Sequence, residues 1–444
     1  MKLADRVPAE TPLALMAETY SLRGPGVNLK TVGFLDFGSP VRVASRVAVD
    51  PDGGSAGSNR KAGPNRRESA SGAQTLGDLM TGSSGTSVWA TILAGGAGHR
   101  FWPLSTESHP KQLLPLGGPE PLVVETLARA RGVVSADRVR VLTGRELMVP
   151  IQALTGLPDD AFMVEPRARG TGPVLVRAAW EAAREDPDAV MISLHSDHIV
   201  GPADEFRDVL AAGVEIARRE GLLMTVAIQP DRPETGFGYI KPGRALVTRD
   251  EHRAYRVDAF VEKPDSETAV ACLAAGYRWN SGIFVWSARV FLDEVRKHAP
   301  EIAGALPCLE RGDIAGFFDE TAAISVDEAI LERSTRVGSI DATFQWDDLG
   351  SWEALARHRG SDAEGNVLDG HVHLVQARNN LVVGDSGRLV LLGVDDLLVV
   401  QTGSTTLVMP RSEAPRLKQY LARLPRRVVL DDPPRRSRVP GSES

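Results

Sequence analysis

VWATILAGGAGHRFWPLSTESHPKQLLPL, Val88–Leu116, opens with an apolar run, Val88–Ala94, that stops at Gly95-Gly96. A short apolar run closed by glycines predicts a buried strand entering a turn. Gly95, Gly96 and Gly98 fall within a few residues of one another. Backbone of that kind approaches a ligand closely and presents successive N–H groups to phosphate oxygens. Arg100 and Lys111 follow on the same stretch; arginine is a rigid fork and lysine a mobile point charge, and both suit a triphosphate. The loop is not a Walker A loop, because no Gly-Lys-Ser/Thr closes it. Nor is it the dinucleotide fingerprint, because Phe101 stands where a third glycine would. Taken alone, Gly-Gly-x-Gly describes a strand-terminal turn with two solvated cations equally well.

Outward from this stretch, apolar runs recur at Val139–Leu142, Ala189–Leu194 and Leu222–Ile228, and helical patterns lie between them at Leu122–Arg131, Pro173–Arg184 and Glu205–Arg219. Strands alternating with helices predict βαβ units and a mostly parallel α/β sheet covered on both faces. Ligands of such sheets sit beyond the C-terminal ends of the strands. After about residue 360 the helical pattern stops. Val372–Val375, Asn380–Val383, Arg388–Leu392, Leu397–Gln401 and Thr405–Met409 are short β-type runs punctuated by Asn, Gly and Asp, which predicts a small all-β module. Ser412–Leu424 reads as an amphipathic helix with Leu417, Tyr420, Leu421 and Leu424 on one face.

The predicted organisation is an extension over 1–86, an α/β domain over 87–360, a β module with a terminal helix over 361–430, and a flexible tail over 431–444. Pro51–Ser87 is rich in Gly, Ser, Asn and Arg with almost no large apolar residue, so disorder is expected there. Met80 is an alternative start, which would make the preceding residues a mis-called extension.

The 444 residues are 42% hydrophobic and 25% charged, an ordinary globular balance that excludes a fibrous or wholly disordered chain. Net charge is −7, without the basic excess of a general nucleic-acid binder. No apolar run approaches the roughly 20 residues of a membrane helix, and the N-terminus has no apolar h-region of a signal peptide. Cys272 and Cys308 form no CxxC pair, which argues against a disulfide scaffold and a cysteine zinc site. The expectation is a soluble cytoplasmic protein with no nucleic-acid or membrane partner.

Ile92–Leu116, with Trp102-Pro103-Leu104-Ser105 and Pro110-Lys111-Gln112, closely resembles the N-terminal signature of sugar-1-phosphate nucleotidyltransferases, on the mannose-1-phosphate guanylyltransferase branch. The resemblance continues in matching order over roughly residues 88–425. It implies a Rossmann-like domain followed by a short left-handed β-helix-like module. It also implies transfer of GMP from GTP to mannose 1-phosphate, giving GDP-mannose and pyrophosphate with Mg2+. Longer relatives append a cupin-type isomerase domain, for which this chain has no room, so no isomerase activity is expected. Dimers are common in the family, which makes a homodimer the implied assembly.

The resemblance assigns Leu93, Ala94, Gly95, Gly96 and Gly98 to the nucleotide, with Arg100 and Lys111 as catalytic cations. Asp197, in Leu194-His195-Ser196-Asp197-His198, follows a strand-like run, and Asp348 lies in Trp346-Asp347-Asp348-Leu349-Gly350-Ser351-Trp352, similar to the family's Trp-x-Asp-x-Gly-x-Trp element. In isolation each aspartate serves a turn or cap equally well; on matched positions they are the implied metal ligands. Phe260-Val261-Glu262-Lys263-Pro264 and Trp279-Asn280-Ser281-Gly282 resemble sugar-binding motifs, and Glu234-Thr235-Gly236 a loop facing the hexose. Glu262, Lys263, Asn280, Gly282 and Gly236 are the implied sugar-phosphate residues, although an exposed ion pair and plain turns account for the same strings. Glu165-Pro166-Arg167-Ala168-Arg169-Gly170-Thr171-Gly172 resembles a base-binding segment through Glu165, Arg169 and Thr171. Gly170 stands where Asn is usual, Gly172 where Ala is, His99 where Thr or Ser is, and His195 where Pro is. Two other readings follow from these departures: a different sugar 1-phosphate and NTP pair, or a non-catalytic sugar-nucleotide-binding paralogue. A general-base role for His195 or His198 is not needed, because a phosphomonoester is largely dianionic at pH 7.

Overall fold

The computed structural model describes residues 87–96, 99–248, 251–385, 387–403 and 405–429. The expectations for 1–86, the start at Met80, Gly98 and the tail 431–444 lie outside the described residues.

Strands β1 (Val88–Leu93), β2 (Val139–Gly144), β3 (Phe162–Glu165), β4 (Val190–His195), β5 (Ile199–Gly201), β6 (Leu223–Ile228), β7 (Tyr239–Ala245), β8 (Ala254–Val261), β9 (Arg278–Ser287), β10 (Val337–Asp341) and β11 (Gln345–Asp347) form the α/β part. Nine of them make one sheet in the order β3-β2-β1-β4-β9-β6-β10-β8-β7, while β5 pairs with β11. Pairings β1–β2, β1–β4, β2–β3 and β6–β10 are parallel, and β9 runs against both β4 and β6. Only β8 and β9 oppose the common direction, which keeps the sheet mostly parallel.

The pleat explains why the strand runs are continuously apolar. Val88, Ala90 and Ile92 enter the core on one face, and Trp89 and Leu93 enter the core on the other, as expected where both faces are covered. Helices α1 (Leu122–Arg131), α2 (Arg145–Thr155), α4 (Ala203–Glu220) and α5 (Ser266–Ala274) cover the first face. Helices α3 (Thr171–Glu185) and α6 (Ala288–His298) cover the second. With the parallel strands β1, β2 and β4 all ending at one edge, their following loops gather there, which is where Gly95, Gly96 and Asp197 emerge.

The five predicted C-terminal runs all form strands, joined by β12 (Val367–Asp369): β13 (Val372–Val375), β14 (Leu381–Gly384), β15 (Leu389–Leu392), β16 (Leu397–Thr402) and β17 (Thr405–Pro410). β12, β14 and β16 pair in parallel, as do β13 and β15, and β17 closes antiparallel on β16. The result is a β-helix-like coil whose rungs stack Val367, Leu381 and Leu398. A buried amide ladder holds successive coils. Asn380 donates to Asn366 Oδ1 and the Val394 carbonyl, and accepts from the Leu397 N–H at 3.0 Å.

The single amphipathic helix expected over Ser412–Leu424 is a correction. The segment is a 3-10 turn, Arg411–Arg416, followed by a short α-helix, Leu417–Leu421. Pro415 has no N–H to donate and its ring crowds the preceding turn, so the helix restarts after it. Leu417 and Leu421 are buried, but Tyr420 and Leu424 are exposed, and the Tyr420 hydroxyl binds Glu413. Leu417 and Leu421 share one core with Phe101, Trp102 and Trp352 of the α/β part.

Replacing the buried Asn380 with Ala removes the partners of the part-buried Val394 carbonyl and Leu397 N–H, at up to about 1–3 kcal/mol per group. Denaturant unfolding monitored on Asn380→Ala should show a lower midpoint, and a midpoint equal to wild type would remove the ladder from the account of module stability.

Candidate active site

The first strand delivers the glycine loop. Ala94 continues β1 by donating its N–H to the Leu142 carbonyl at 2.9 Å, and its own carbonyl accepts from Thr143 Oγ1 at 2.9 Å. Gln112, fully buried, donates its amide to the carbonyls of Ala94 and Gly96, both at 3.3 Å. Gly96 has φ 96°, a conformation open to glycine, and Gly95 and Gly96 are exposed beside the strand end. Gln112, in the Pro-Lys-Gln element, thus braces the loop by a bond that sequence spacing does not display. Leu93 itself is buried in the sheet, so it shapes the loop from below.

Lys111 is only 6% exposed, and its ammonium donates to Asp197 Oδ2 at 2.9 Å and to the Asp348 carbonyl at 2.5 Å. The mobile cation expected from the sequence is therefore a pinned one. Burial works against the charge on Asp197, but Lys111 and the two flanking histidines hold its carboxyl below the ordinary carboxylate range. Asp348 is different: burial pushes its pKa up, and Lys111 only partly opposes this. Its Oδ1 accepts the Gly350 N–H at 2.8 Å, while Asp347 Oδ1 accepts the Leu349 N–H at 2.7 Å. These paired turns hold Leu349, fully buried, at φ 45°, a sparsely populated conformation for a branched residue. Arg100 donates to the Gly350 carbonyl at 3.2 Å, so the glycine loop, Asp197 and the Asp348 turn converge.

One ammonium thus brings the Asp197 carboxylate and the residue Asp348 together, and two aspartates are the oxygen donors that suit a divalent cation accompanied by phosphate oxygens. The raised pKa of Asp348 marks a carboxylate whose charge the protein alone does not fully compensate. His195, Asp197 and His198 also lie with donor atoms within 4.8 Å of one another. His198 Nδ1, however, already accepts the Trp346 indole N–H at 3.1 Å. Burial lowers the pKa of both imidazoles, of His198 most strongly. The rings of His195 and His198 stack at 4.6 Å, and the His195 ring lies where a Cβ on Gly282 would meet Nε2 at 2.9 Å. With the ring this close, position 282 has no room for a side chain.

The sugar-motif residues lie in β9 and beside it. Asn280 lies inside β9 rather than in a turn, and a bulge opposite Thr225–Ala227 frees Ser281–Ile283 from regular pairing, with Gly282 at φ 72°. Both ends of the Asn280 amide are engaged internally. Its Oδ1 accepts from Thr225 at 2.7 Å and from the Gly282 N–H at 3.3 Å, and its Nδ2 donates to Asp327 at 2.8 Å. Lys263, at φ 43°, donates to Glu262 Oε1 at 2.6 Å. Glu262 in turn packs where a Cβ on Gly238 would stand. Gly236 is exposed and donates its N–H to Glu234 Oε1 at 3.1 Å. Asp327, on the π-type turn Asp327–Leu331, is the residue sequence reading missed. Burial and then the neighbouring Glu262 push its pKa up to about 7. Ahead of an apolar run it reads as a helix-capping residue, and only the fold brings it to Asn280.

The base segment divides. The carboxylate of Glu165 borders Gly95, 3.9 Å from where a Cβ there would sit. Arg169 donates to the carbonyls of Phe318 and Asp319 at 2.8 and 3.4 Å, and Thr171 Oγ1 accepts the Val326 N–H at 2.9 Å. These two side chains are engaged by the 318–326 strap. Gly170 has φ 79°, and a Cβ there would come within 2.6 Å of the Ile324 carbonyl. The strap leaves no room for the asparagine usual at this position.

Residues 89–364 match the nucleotidyl transferase family, and residues 370–424 match the MannoseP isomerase/GMP-like beta-helix domain. Fold and site together are those of a nucleotidyl transferase. A mannose-1-phosphate guanylyltransferase of Klebsiella pneumoniae is 35% identical over 345 residues, covering 74% of this chain and 72% of its own length. One of Escherichia coli K12 is 34% identical over 351 residues, with 76% and 73% covered. The solved mannose-1-phosphate geranyltransferase from Thermus thermophilus superposes with a TM-score of 0.69 at 32% identity, covering 76% of this chain and 99% of that one. The chain belongs to the mannose-1-phosphate guanylyltransferase family.

Burial raises the pKa of Glu165 to about 7, against partial opposition from Arg177. A carboxyl whose folded pKa is raised holds its proton where the unfolded chain has released it, so this group's contribution to stability is lost as pH rises from about 4.5 to about 7. Glu165→Gln removes the titration. The stability of the variant relative to wild type should grow across that window, as read from urea midpoints; parallel pH profiles would show that Glu165 ionises normally.

Proposed function

We propose that the chain transfers GMP from GTP to the phosphate of mannose 1-phosphate, forming GDP-mannose and releasing pyrophosphate. The observation that carries this reading is the contact of Lys111 with both Asp197 and Asp348, which draws remote stretches of the sequence to the edge of the glycine loop. Family membership supplies the substrates. In this reading the enzyme works in the cytoplasm as the homodimer its family implies, without a nucleic-acid or membrane partner. The buried free thiols of Cys272 and Cys308 suit a reducing compartment, and among the described residues no helix is long and apolar enough to cross a membrane.

The glycine-loop N–H groups bind the nucleotide phosphates, and Arg100 and Lys111 set positive charge beside them. Glu165, at the edge of Gly95, borders the nucleoside. Glu262 and the exposed Gly236 backbone accept and position the hexose, while Lys263 holds its phosphate. Asn280, locked by Thr225 and Asp327, and Gly282, at the bulge, shape the floor of that pocket. Asp197 and Asp348 would hold Mg2+, which when bound neutralises charge on the phosphates. The attacking phosphate is already dianionic near pH 7. Positioning and charge compensation therefore accomplish the in-line displacement, and no side chain need remove a proton. Oxygen of the sugar phosphate bonds to the α-phosphorus as the bond to the β-phosphate oxygen breaks, and pyrophosphate departs with that electron pair.

The test is pyrophosphate release by purified protein with Mg2+ across four NTPs and several sugar 1-phosphates, with an EDTA control. Release confined to GTP with mannose 1-phosphate, and lost in EDTA, is the expected result. Another productive pair would move the substrate name, and binding without release from any pair would favour a regulatory paralogue. Asp348→Asn keeps the acceptor for Gly350 while removing the charge. It should lower kcat by about 10²-fold or more with an unchanged melting temperature; near-wild-type turnover would remove Asp348 from the metal site.

A further inference from the structure

A cavity of about 660 Å3 opens beside the Asp348 turn, and one of its walls comes from the C-terminal module. Arg100, Gly236 and Asp348 line one side, and Lys418 with Gln419 on the short helix Leu417–Leu421 lines the other. The wall is rigidly mounted. Leu417 and Leu421 are buried with Phe101 and Trp352, the Phe101 and Trp352 rings meet edge-on at 5.0 Å, and the Trp102 indole donates to the Val429 carbonyl at 3.2 Å. Phe101 and Trp102 directly follow Arg100, so the helix is anchored on the phosphate loop itself.

The cations of this cavity are not equivalent. Arg100 is engaged by the Gly350 carbonyl, Arg232 by Asp231 and Glu234, and Arg357 by Asp347 at 3.5 Å. Lys418 has no carboxylate partner among the described residues. A flexible ammonium without a counter-charge, held over a cavity that contains a metal-candidate carboxylate, suits a strongly anionic group entering that cavity. The group that is bound before reaction and freed after it is the pair of phosphates not transferred.

We infer that Lys418 of the C-terminal module binds the pyrophosphoryl group, as the β- and γ-phosphates of the nucleotide and then as departing pyrophosphate. The inference rests on the nucleotidyl-transfer reading above. It makes the module part of the active site and gives Lys418 a task distinct from that of Lys111.

The experiment is calorimetric titration of the full chain with inorganic pyrophosphate in the presence of Mg2+, for wild type, Lys418→Ala and Lys418→Arg, with GDP-mannose as the control ligand. Lys418→Ala should weaken pyrophosphate binding about 5- to 10-fold, as expected for loss of one charge-assisted contact. Lys418→Arg should retain most of it, and GDP-mannose affinity should change less than about 2-fold on the same measure. Added salt should narrow the difference, since the contact is solvent-accessible. Equal pyrophosphate affinity in wild type and Lys418→Ala would overturn the assignment, as would equal weakening of both ligands. No turnover with any substrate pair, but pyrophosphate binding that depends on Lys418, would sink the reaction and keep the site. Turnover with pyrophosphate binding that ignores Lys418 would do the reverse.

Discussion

The site depends on one buried ammonium. Lys111 lies almost out of solvent, and such a charge is tolerated only where it is paired and hydrogen-bonded. It meets both conditions through the Asp197 carboxylate and the Asp348 carbonyl. The same contacts tie the loop after β4 to the turn after β11, and Gln112, one residue on, ties them to the glycine loop. The asymmetry of the two aspartates follows. Asp197 has the ammonium as a side-chain partner, whereas Asp348 offers it only a carbonyl and keeps a poorly compensated carboxyl. That leaves Asp348 the group with most to gain from an incoming cation.

Much of the architecture was legible because its elements follow local periodicity. The helix Leu122–Arg131 and the strand Val372–Val375 have the bounds that the pattern predicts. The C-terminal helix was misread because Leu417, Tyr420, Leu421 and Leu424 have helical spacing, while the interruption at Pro415 lies just before them. Within the nine-stranded sheet the two strands that run against the rest, β8 and β9, carry no mark of direction in their sequence. Direction is set by which neighbours they meet, as β9 does between β4 and β6.

The candidate site was legible to a different depth. Motif order identified Arg100, Lys111, Asp197 and Asp348, and the fold brings them together. It could not show that Arg169 and Thr171 are held by the 318–326 strap, or that Asp327 fixes the Asn280 amide. Those partners are more than a hundred residues away in the first case and on a π-type turn in the second. Gly170 is the instructive position. As a string it reads as a lost amide, yet the Ile324 carbonyl fills the space a side chain would need. The departure from the family pattern at Gly170 is therefore matched by the path of a neighbouring segment.

The C-terminal coil is bound into the rest of the structure by its attachments. Arg411 forms a two-pronged bond to Glu353 at 2.7 and 2.8 Å, on the helix that begins with Trp352 just after the Asp348 turn. Leu417 and Leu421 complete the core beneath Phe101, next to Arg100. A shift of the coil would therefore move both the turn presenting Asp348 and the residue following the glycine loop. Because close-packed cores transmit displacement rather than absorb it, the position of Asp348 relative to Arg100 is set in part from the far end of the sequence. The module thus braces the Asp348 turn and the residues that follow Arg100.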